Sequence, residues 1–193
     1  FIIIYNYYLL TDMPNILVTG GCGFIGSHLV EKLLDQGFFV TVVDDNRSGS
    51  HYIEHEMVEY HKCDVMHFNP HHASIEPPSA IFHLANTPRV RRAIEFPAET
   101  IDNNVTSTTA VCEIALAHSS HVYFAQSSSV QYVEDGTGQN AYTLSKLFAD
   151  DILQLYMEQY GLQVTNMFFY SVYGPREADY GPYSCLLYTS PSP

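Results

Sequence analysis

The chain has 193 residues, 46% of them hydrophobic, and its 21 acidic against 8 basic side chains give a formal net charge of −13. This length is enough for one domain with a sizeable core. The acidic balance argues against nucleic acid or an anionic membrane surface as a partner. No apolar run approaches the roughly 20 residues that span a bilayer. The four cysteines show no paired spacing, so neither a disulfide framework nor a zinc site is indicated, and a cytoplasmic location is expected.

Both ends of the chain differ from its middle. Residues 1–12 precede Met13, and we expect them to be a non-native leader; a membrane anchor or a signal is the alternative, but no Lys or Arg precedes the apolar run. Residues 185–193 have no periodicity and resemble a translated sequencing adapter, with a genuine Pro/Ser-rich tail as the alternative. One domain over residues 13–184 is therefore expected, in a gene that continues beyond it.

A glycine-rich turn lies between the first predicted strand and the first predicted helix. The strand covers residues 15–19, and the helix over 24–36 has apolar residues at helical spacing. Glycines at positions 20, 23 and 26 connect the two elements. This layout brings backbone N–H groups and a helix N-terminus to a pyrophosphate without interference from side chains.

An acidic residue ends the second predicted strand, residues 39–43. Asp44 lies 18 residues beyond Gly26, where a carboxylate accepts hydrogen bonds from the ribose hydroxyls of an adenosine. With the glycine turn it predicts a dinucleotide site; the alternative is an ordinary strand–turn–helix with an unrelated Asp. Arg47 follows three residues later and could indicate a 2′-phosphate site, but an Asp at the strand end repels that phosphate and favours NAD over NADP.

Strands and helices alternate over residues 15–170, which indicates a parallel sheet covered on both faces. Further strands are predicted at 57–62, 80–84, 121–126 and 163–169. Further helices are predicted at 98–118 and 141–160, with short irregular or helical pieces near 50–55 and 89–95. Right-handed crossovers then give an α/β fold with a doubly wound parallel sheet, a Rossmann-type arrangement whose ligand crevice lies at the carboxyl ends of the strands.

A tyrosine and a lysine share one face of the last predicted helix. Tyr142 and Lys146 are four residues apart, and they follow the strand whose end carries Ser127–Ser129. A phenol with a pKa near 10 is a poor base at neutral pH, and lowering that pKa by about 3 takes about 4 kcal/mol. A nearby ammonium and a positively charged nicotinamide supply this energy, and a serine hydroxyl binds the substrate oxygen. The alternative is a solvent-facing Tyr and Lys with serines in a loop.

Several motifs together resemble those of the NAD-dependent epimerase/dehydratase family, the extended short-chain dehydrogenase/reductases, and most of all UDP-glucose 4-epimerase-like enzymes. The resemblance covers essentially all of 13–184. It is carried by TGGCGFIGSHL at 19–29, VVDDNRSG at 42–49, CDV at 63–65, FHLAN at 82–86, NNVTST at 103–108, SSSV at 127–130, YTLSK at 142–146 and SVYGPR at 171–176.

The resemblance implies a role for each matching residue. Tyr142 would be the catalytic base, Lys146 its partner and a ribose ligand, and Ser127 the donor to the substrate oxygen, with Ser128 in reserve. Leu84 and Ala85 would lie beside the pyrophosphate and the nicotinamide ribose, Asp64 and Val65 would flank the adenine, and Asn104 would pack near the cofactor. The full set of implied NAD-binding residues is Gly20, Gly23, Phe24, Ile25, Gly26, Asp44, Asp64, Val65, Leu84, Ala85, Asn104, Tyr142 and Lys146.

Some positions depart from the family pattern. The interval between Ser127 and Tyr142 is about ten residues shorter than usual, and Gln131 and Tyr132 replace a Tyr-Gly pair. Asn86 replaces a small residue beside the nicotinamide. Ser171 stands where an Asn is common in the family, and Phe168 stands where an Arg is common. The scattered histidines have no carboxylate or cysteine pattern around them, so no metal site is expected.

These observations predict an NAD-dependent sugar-nucleotide 4-epimerase that acts through a transient 4-keto intermediate on a nucleotide-diphosphate sugar. A 4,6-dehydratase or decarboxylase begins with the same oxidation but usually has an acidic pair beside the Ser/Thr, where this chain has Ser128 and Ser129. A non-catalytic NAD-binding module is the third alternative. The resemblance also implies a homodimer through 98–118 and 141–160, and a C-terminal substrate domain that is missing here. We therefore expect the 193 residues alone to bind NAD weakly and to catalyse nothing.

Overall fold

The computed structural model describes residues 13–73, 75–133 and 139–177. Its centre is one six-stranded sheet in which every neighbouring pair of strands is parallel. The strands are β1 (Asn15–Thr19), β2 (Phe39–Asp44), β3 (Val58–Lys62), β4 (Pro78–His83), β5 (His121–Ser127) and β6 (Val164–Phe169). Their order is β3-β2-β1-β4-β5-β6, so the chain reverses its winding direction between β1 and β4. A ligand crevice is expected at this reversal, outside the carboxyl ends of the strands.

Helices cover both faces of the sheet. They are α1 (Phe24–Asp35), α2 (Pro70–Ala73), α3 (Val90–Glu95), α4 (Pro97–His118) and α5 (Ala141–Tyr160). On one face α1 packs over β1 and β2, where Val18, Val30 and Val42 are fully buried. On the other face α4 and α5 bury Phe124 and Leu153. Strands covered on both sides in this way are apolar along most of their length.

The predicted fold class, a doubly wound parallel sheet of the Rossmann type, is confirmed, and all six predicted strands are present. Residues 50–55 form no helix. The helix α2 and two 3-10 helices, Val65–His67 and Ser128–Tyr132, were not predicted. Each 3-10 helix is preceded by a residue whose side chain accepts a backbone N–H: Asp64 accepts that of Met66, and Ser127 accepts that of Ser129. Such local capping bonds leave little trace in hydrophobic periodicity.

The start of α5 is fixed by a capping box. Asn140 accepts hydrogen bonds from the backbone N–H groups of Tyr142 and Thr143, and the Thr143 side chain accepts one from the N–H of Asn140. This pair satisfies N–H groups that the first helical turn leaves without partners. It also places Tyr142 in the first turn of α5 and Lys146 in the second, next to the end of β5.

The predicted leader (residues 1–12) and tail (185–193) lie outside the described residues. Among the described helices, none has both the length and the apolar character needed to cross a bilayer.

Candidate active site

A cleft of about 1060 Å³ lies at the carboxyl ends of the strands, at the reversal between β1 and β4. The β1–α1 turn forms one wall, the ends of β2, β4 and β5 form the floor, and α5 closes the far end. All predicted site residues except Asn104 line this cleft. They are Gly20, Gly23, Phe24, Ile25, Gly26, Asp44, Asp64, Val65, Leu84, Ala85, Ser127, Tyr142 and Lys146.

The β1–α1 turn depends on two glycines for steric reasons. Gly20 has φ +75°, and a Cβ there would lie 2.8 Å from the backbone nitrogen of Ala85. A Cβ at Gly26 would overlap the carbonyl oxygen of Gly20. Among the described residues, no side chain caps α1 at Gly23. The first N–H groups of α1 therefore keep the positive potential that binds a phosphate.

Asp44 is held in a fixed orientation at the end of β2. One of its carboxylate oxygens accepts the N–H of Cys22 at 2.9 Å, and the other accepts the N–H of Asn46 at 2.7 Å. Burial raises the pKa of this carboxyl, and the two backbone hydrogen bonds oppose that rise. A carboxylate held in this orientation is suited to accept hydrogen bonds from ribose hydroxyl groups.

Arg47, the candidate ligand for a 2′-phosphate, is engaged by acidic side chains. Its guanidinium lies 2.6 Å from a carboxylate oxygen of Asp45 and 3.0 Å from one of Asp64. Asp44, Asp45 and Asp64 all line the same cleft, so a 2′-phosphate near Arg47 would be repelled by neighbouring carboxylates. This arrangement favours an unphosphorylated ribose, and therefore NAD over NADP.

The three predicted catalytic side chains meet at the far end of the cleft. Ser127 ends β5 near Tyr142, and both Ser127 and the nearby charge of Arg89 act to lower the pKa of the phenol. Burial is the larger effect and keeps the pKa of Tyr142 above its ordinary value. That Lys146 lowers this pKa stays a prediction.

The ammonium of Lys146 is bound by neutral oxygens. It donates hydrogen bonds to the side-chain oxygen of Asn86 and to the carbonyl oxygen of Ala125. It also lies 4.5 Å from the centroid of the Phe124 ring. The side chain is almost fully buried, and burial lowers the pKa of Lys146 to about 7.

His83 is a functional candidate that sequence reasoning missed. It ends β4, is fully buried, and its Nδ1 lies 2.7 Å from the hydroxyl oxygen of Thr19. Burial, and to a smaller extent the charge of Lys146, lowers the pKa of His83 to about 3, so the ring is neutral. The signal in the sequence was a histidine at the end of an otherwise apolar strand.

Asn104 lies behind the cleft. Its side-chain oxygen accepts the N–H of Thr87 at 2.6 Å, and its amide donates to the Ser145 hydroxyl at 2.9 Å. Thr87 lines the cleft. Asn104 therefore acts on the cleft through Thr87 and through the helix that carries Tyr142 and Lys146.

The segment after β6 is tied across the cleft by polar contacts. His28 of α1 lies 2.8 Å from the carbonyl oxygen of Pro175, and Arg176 pairs with Glu31 at 2.9 Å. On the other side Glu177, which is buried, pairs with Arg89 at 2.9 Å.

In the described part of the chain, no group of three His, Cys, Asp or Glu side chains has the arrangement of a metal site.

A parallel sheet with this strand order, a glycine turn at its winding reversal and a Ser–Tyr–Lys set in the same cleft define a Rossmann-type dinucleotide-binding domain. The chain belongs to the NAD dependent epimerase/dehydratase family, whose profile matches residues 16–186. The family predicted from the sequence is therefore confirmed, and NAD is the cofactor of that family.

Known proteins similar to this chain include both epimerases and decarboxylases. The UDP-N-acetyl-alpha-D-glucosaminuronate decarboxylase of Bacillus cytotoxicus is 31% identical, over 89% of this chain and 58% of its own length. The structure of UDP-glucose 4-epimerase from Thermotoga maritima with UDP-glucose superimposes with a TM-score of 0.82 at 28% identity, over 91% of this chain and 61% of that one. The structure of UDP-glucose 4-epimerase from Brucella ovis in complex with NAD superimposes with a TM-score of 0.68 at 27% identity. The match covers 82% of this chain and 52% of that one. The chain thus spans little more than half the length of these relatives.

Proposed function

We propose that the protein is an NAD-dependent nucleotide-sugar 4-epimerase. The observation that carries this proposal is the convergence of Ser127, Tyr142 and Lys146 on the cleft that also contains the glycine turn and Asp44. Because the chain spans about 60% of the relatives' length, the activity is proposed for a protein of their size. For the 193 residues alone we propose NAD binding without turnover.

The cleft fits NAD in several independent ways. Gly20 and Gly26 let the backbone of the β1–α1 turn pack closely, so that a diphosphate could approach the N–H groups at the N-terminus of α1. Asp44 would bind the adenosine ribose, Asp64 and Val65 would flank the adenine, and Leu84 and Ala85 would contact the nicotinamide half. Asn104 would act through Thr87. When bound there, NAD supplies a positively charged ring that accepts a hydride from C4 of the sugar and returns it to the opposite face.

The side chains at the far end supply the proton chemistry. Ser127 would donate a hydrogen bond to the sugar C4 oxygen, and Tyr142 would remove the hydroxyl proton and later return it. Because burial raises the pKa of Tyr142, deprotonation requires positive charge beside the phenol. Arg89 supplies part of that charge in the structure, and Lys146 lies one helical turn away.

A decarboxylase is the second candidate, because one of the similar proteins is a UDP-N-acetyl-alpha-D-glucosaminuronate decarboxylase. The local sequence argues against it. Ser128 and Ser129 occupy the positions where an acidic pair is usual, and Ser129 instead donates its backbone N–H to the Ser127 oxygen. A dehydratase is disfavoured for the same reason, and a non-catalytic module has no need of an aligned base.

We extend the proposal to location and assembly. A cytoplasmic location is supported by Cys22, Cys63 and Cys112, which are free thiols. A homodimer is supported by the outer face of α5, where Phe148 and Leu155 are 46% and 51% exposed and lie seven residues apart, hence on one face.

Two chimaeras test the proposed reaction. Residues 13–177 would replace the matching part of the Thermotoga maritima epimerase in one, and of the Bacillus cytotoxicus decarboxylase in the other. We expect the first to interconvert UDP-glucose and UDP-galactose and the second to release no CO₂, because Ser128 and Ser129 carry no carboxylate. CO₂ release by the second alone would reverse the assignment. NAD binding without either reaction would indicate the non-catalytic module.

A further inference from the structure

The contacts of Lys146 determine the orientation of the Asn86 amide. An ammonium group only donates hydrogen bonds, so the Asn86 atom that contacts Lys146 must be the oxygen. The NH₂ group of Asn86 then lies on the opposite side. It is 3.3 Å from Nε2 of His83 and 3.2 Å from the hydroxyl oxygen of Ser107.

The amide orientation in turn determines where His83 carries its proton. The ring is neutral and fully buried. Since Nε2 accepts a hydrogen bond from Asn86, the proton lies on Nδ1, which donates to the hydroxyl oxygen of Thr19 at 2.7 Å. That oxygen also accepts the N–H of Ala85 at 3.3 Å. The result is a one-directional chain of hydrogen bonds from Lys146 to the last residue of β1, directly before the glycine turn.

We infer that Asn86 is a positioning residue that favours the charged form of Lys146 and directs its ammonium toward the end of β4. The consequence for catalysis rests on the proposed function of Lys146, whereas the hydrogen-bond chain does not depend on it.

The surroundings of Lys146 explain why the amide matters. Burial disfavours the ammonium, and in the described residues only two oxygens accept hydrogen bonds from it, those of Asn86 and Ala125. No carboxylate is among them. Loss of the Asn86 oxygen would remove one of two dipoles that favour the charged form. An ammonium has three donors, so one N–H remains for a ribose hydroxyl.

The ionisable groups that face Lys146 do not obscure its titration. His83, from β4, is neutral because burial lowers its pKa to about 3. Tyr142, on α5, has a pKa above its ordinary value because of burial. Lys146 has a pKa of about 7. Among these groups, it is the one that changes charge near neutral pH.

A nuclear magnetic resonance titration of the lysine side chains tests the inference. The whole chain contains only three lysines, so with ¹³Cε-labelled lysine the Lys146 signal is assigned by its loss in Lys146→Met. We expect a midpoint near 7 in the parent protein, a midpoint higher by about one pH unit or more in Asn86→Asp, and a lower one in Asn86→Leu. The matched control is Asn103→Leu, which changes another cleft asparagine that contacts Asn104 and not Lys146.

Two results would overturn the inference. One is the same midpoint in all four proteins. The other is a rise in Asn86→Asp without a fall in Asn86→Leu, because an added negative charge acts at a distance whereas a supporting amide does not. If Asn86→Leu does not fold, Asn86→Ser removes the same oxygen with less volume, and its expected midpoint is also lower. NAD affinity is measured on the same samples to separate this test from the test of the proposed function. If the parent protein does not bind NAD, the proposed function is refuted, but the lysine titration still tests the role of Asn86.

Discussion

At the glycine-turn end of the cleft (Gly20, Gly26 and Asp44) the chain offers backbone geometry, whereas at the lysine end (Ser127, Tyr142 and Lys146) it offers buried or half-buried polar side chains, each held by its own hydrogen bonds or charges. The first end is made by the absence of Cβ atoms and by a carboxylate held by two backbone N–H groups. The second depends on contacts between distant parts of the chain. The glycine-turn end depends on shape, so we expect substitutions that add atoms to disturb it. The lysine end depends on charge and hydrogen bonding, so we expect substitutions that remove polar groups to disturb it.

The largest effect is expected from adding a methyl group at the glycine turn. Gly26→Ala places a Cβ on the carbonyl oxygen of Gly20, so the turn must move and the phosphate position is lost. We expect NAD binding to become undetectable by calorimetry. Gly23→Ala is the graded control, because its Cβ would lie 3.3 Å from the same oxygen; equal affinities for NAD in the two variants would refute the steric account.

At the lysine end, removal of one hydroxyl should affect turnover and spare binding. In the epimerase chimaera we expect Tyr142→Phe to lower the rate by about 10² to 10⁴-fold, the range for loss of an acid–base group. Its NAD affinity should stay within a few-fold of the parent, since the glycine-turn end is unchanged. A variant that retained the parent rate would rule out Tyr142 as the base.

A buried amide behind the cleft should matter for stability. Asn104→Leu leaves the N–H of Thr87 and the Ser145 hydroxyl without their Asn104 partner. We expect the free energy of unfolding to fall by about 2 kcal/mol, the cost of an unsatisfied buried donor, as measured by urea denaturation. Asn103→Leu, at a half-buried neighbour, should cost much less. A fall in NAD affinity without a change in stability would instead make Asn104 a direct cofactor ligand.

The smallest effect is expected at the exposed ion pairs of the glycine-turn end. Arg47→Ala removes contacts to Asp45 and Asp64, and pairs of this exposure contribute less than about 1 kcal/mol. We expect stability and NAD affinity to be nearly unchanged, and NADP to remain a poor ligand. A specific loss of NADP binding would show that Arg47 recognises a 2′-phosphate.

The glycine-turn end could be predicted from the sequence because its determinants are local. A strand, three glycines, a helix and an acid at the next strand end follow one another within 30 residues. The doubly wound parallel sheet followed from the alternation of strands and helices and the handedness of their connections. Tyr142 and Lys146 were predictable because they are one helical turn apart.

The network around Lys146 could not be predicted because its members are far apart in the chain. Asn86 and Lys146 are separated by 60 positions, and Thr19 and His83 by 64. The local sequence around His83 does not predict that polar side chains surround the imidazole in the folded protein. The direction of the Lys146 ammonium follows from its contacts with Ala125 of β5 and with Asn86, which lies three residues after β4.

The most direct test of the account is a calorimetric titration of the chain with NAD and, separately, with NADP, in the parent protein and in Asp44→Asn. The account predicts that the parent binds NAD, that NADP binds at least about tenfold more weakly, and that Asp44→Asn narrows this difference by weakening NAD binding. No binding of either dinucleotide, or equal binding of both by the parent, would contradict it.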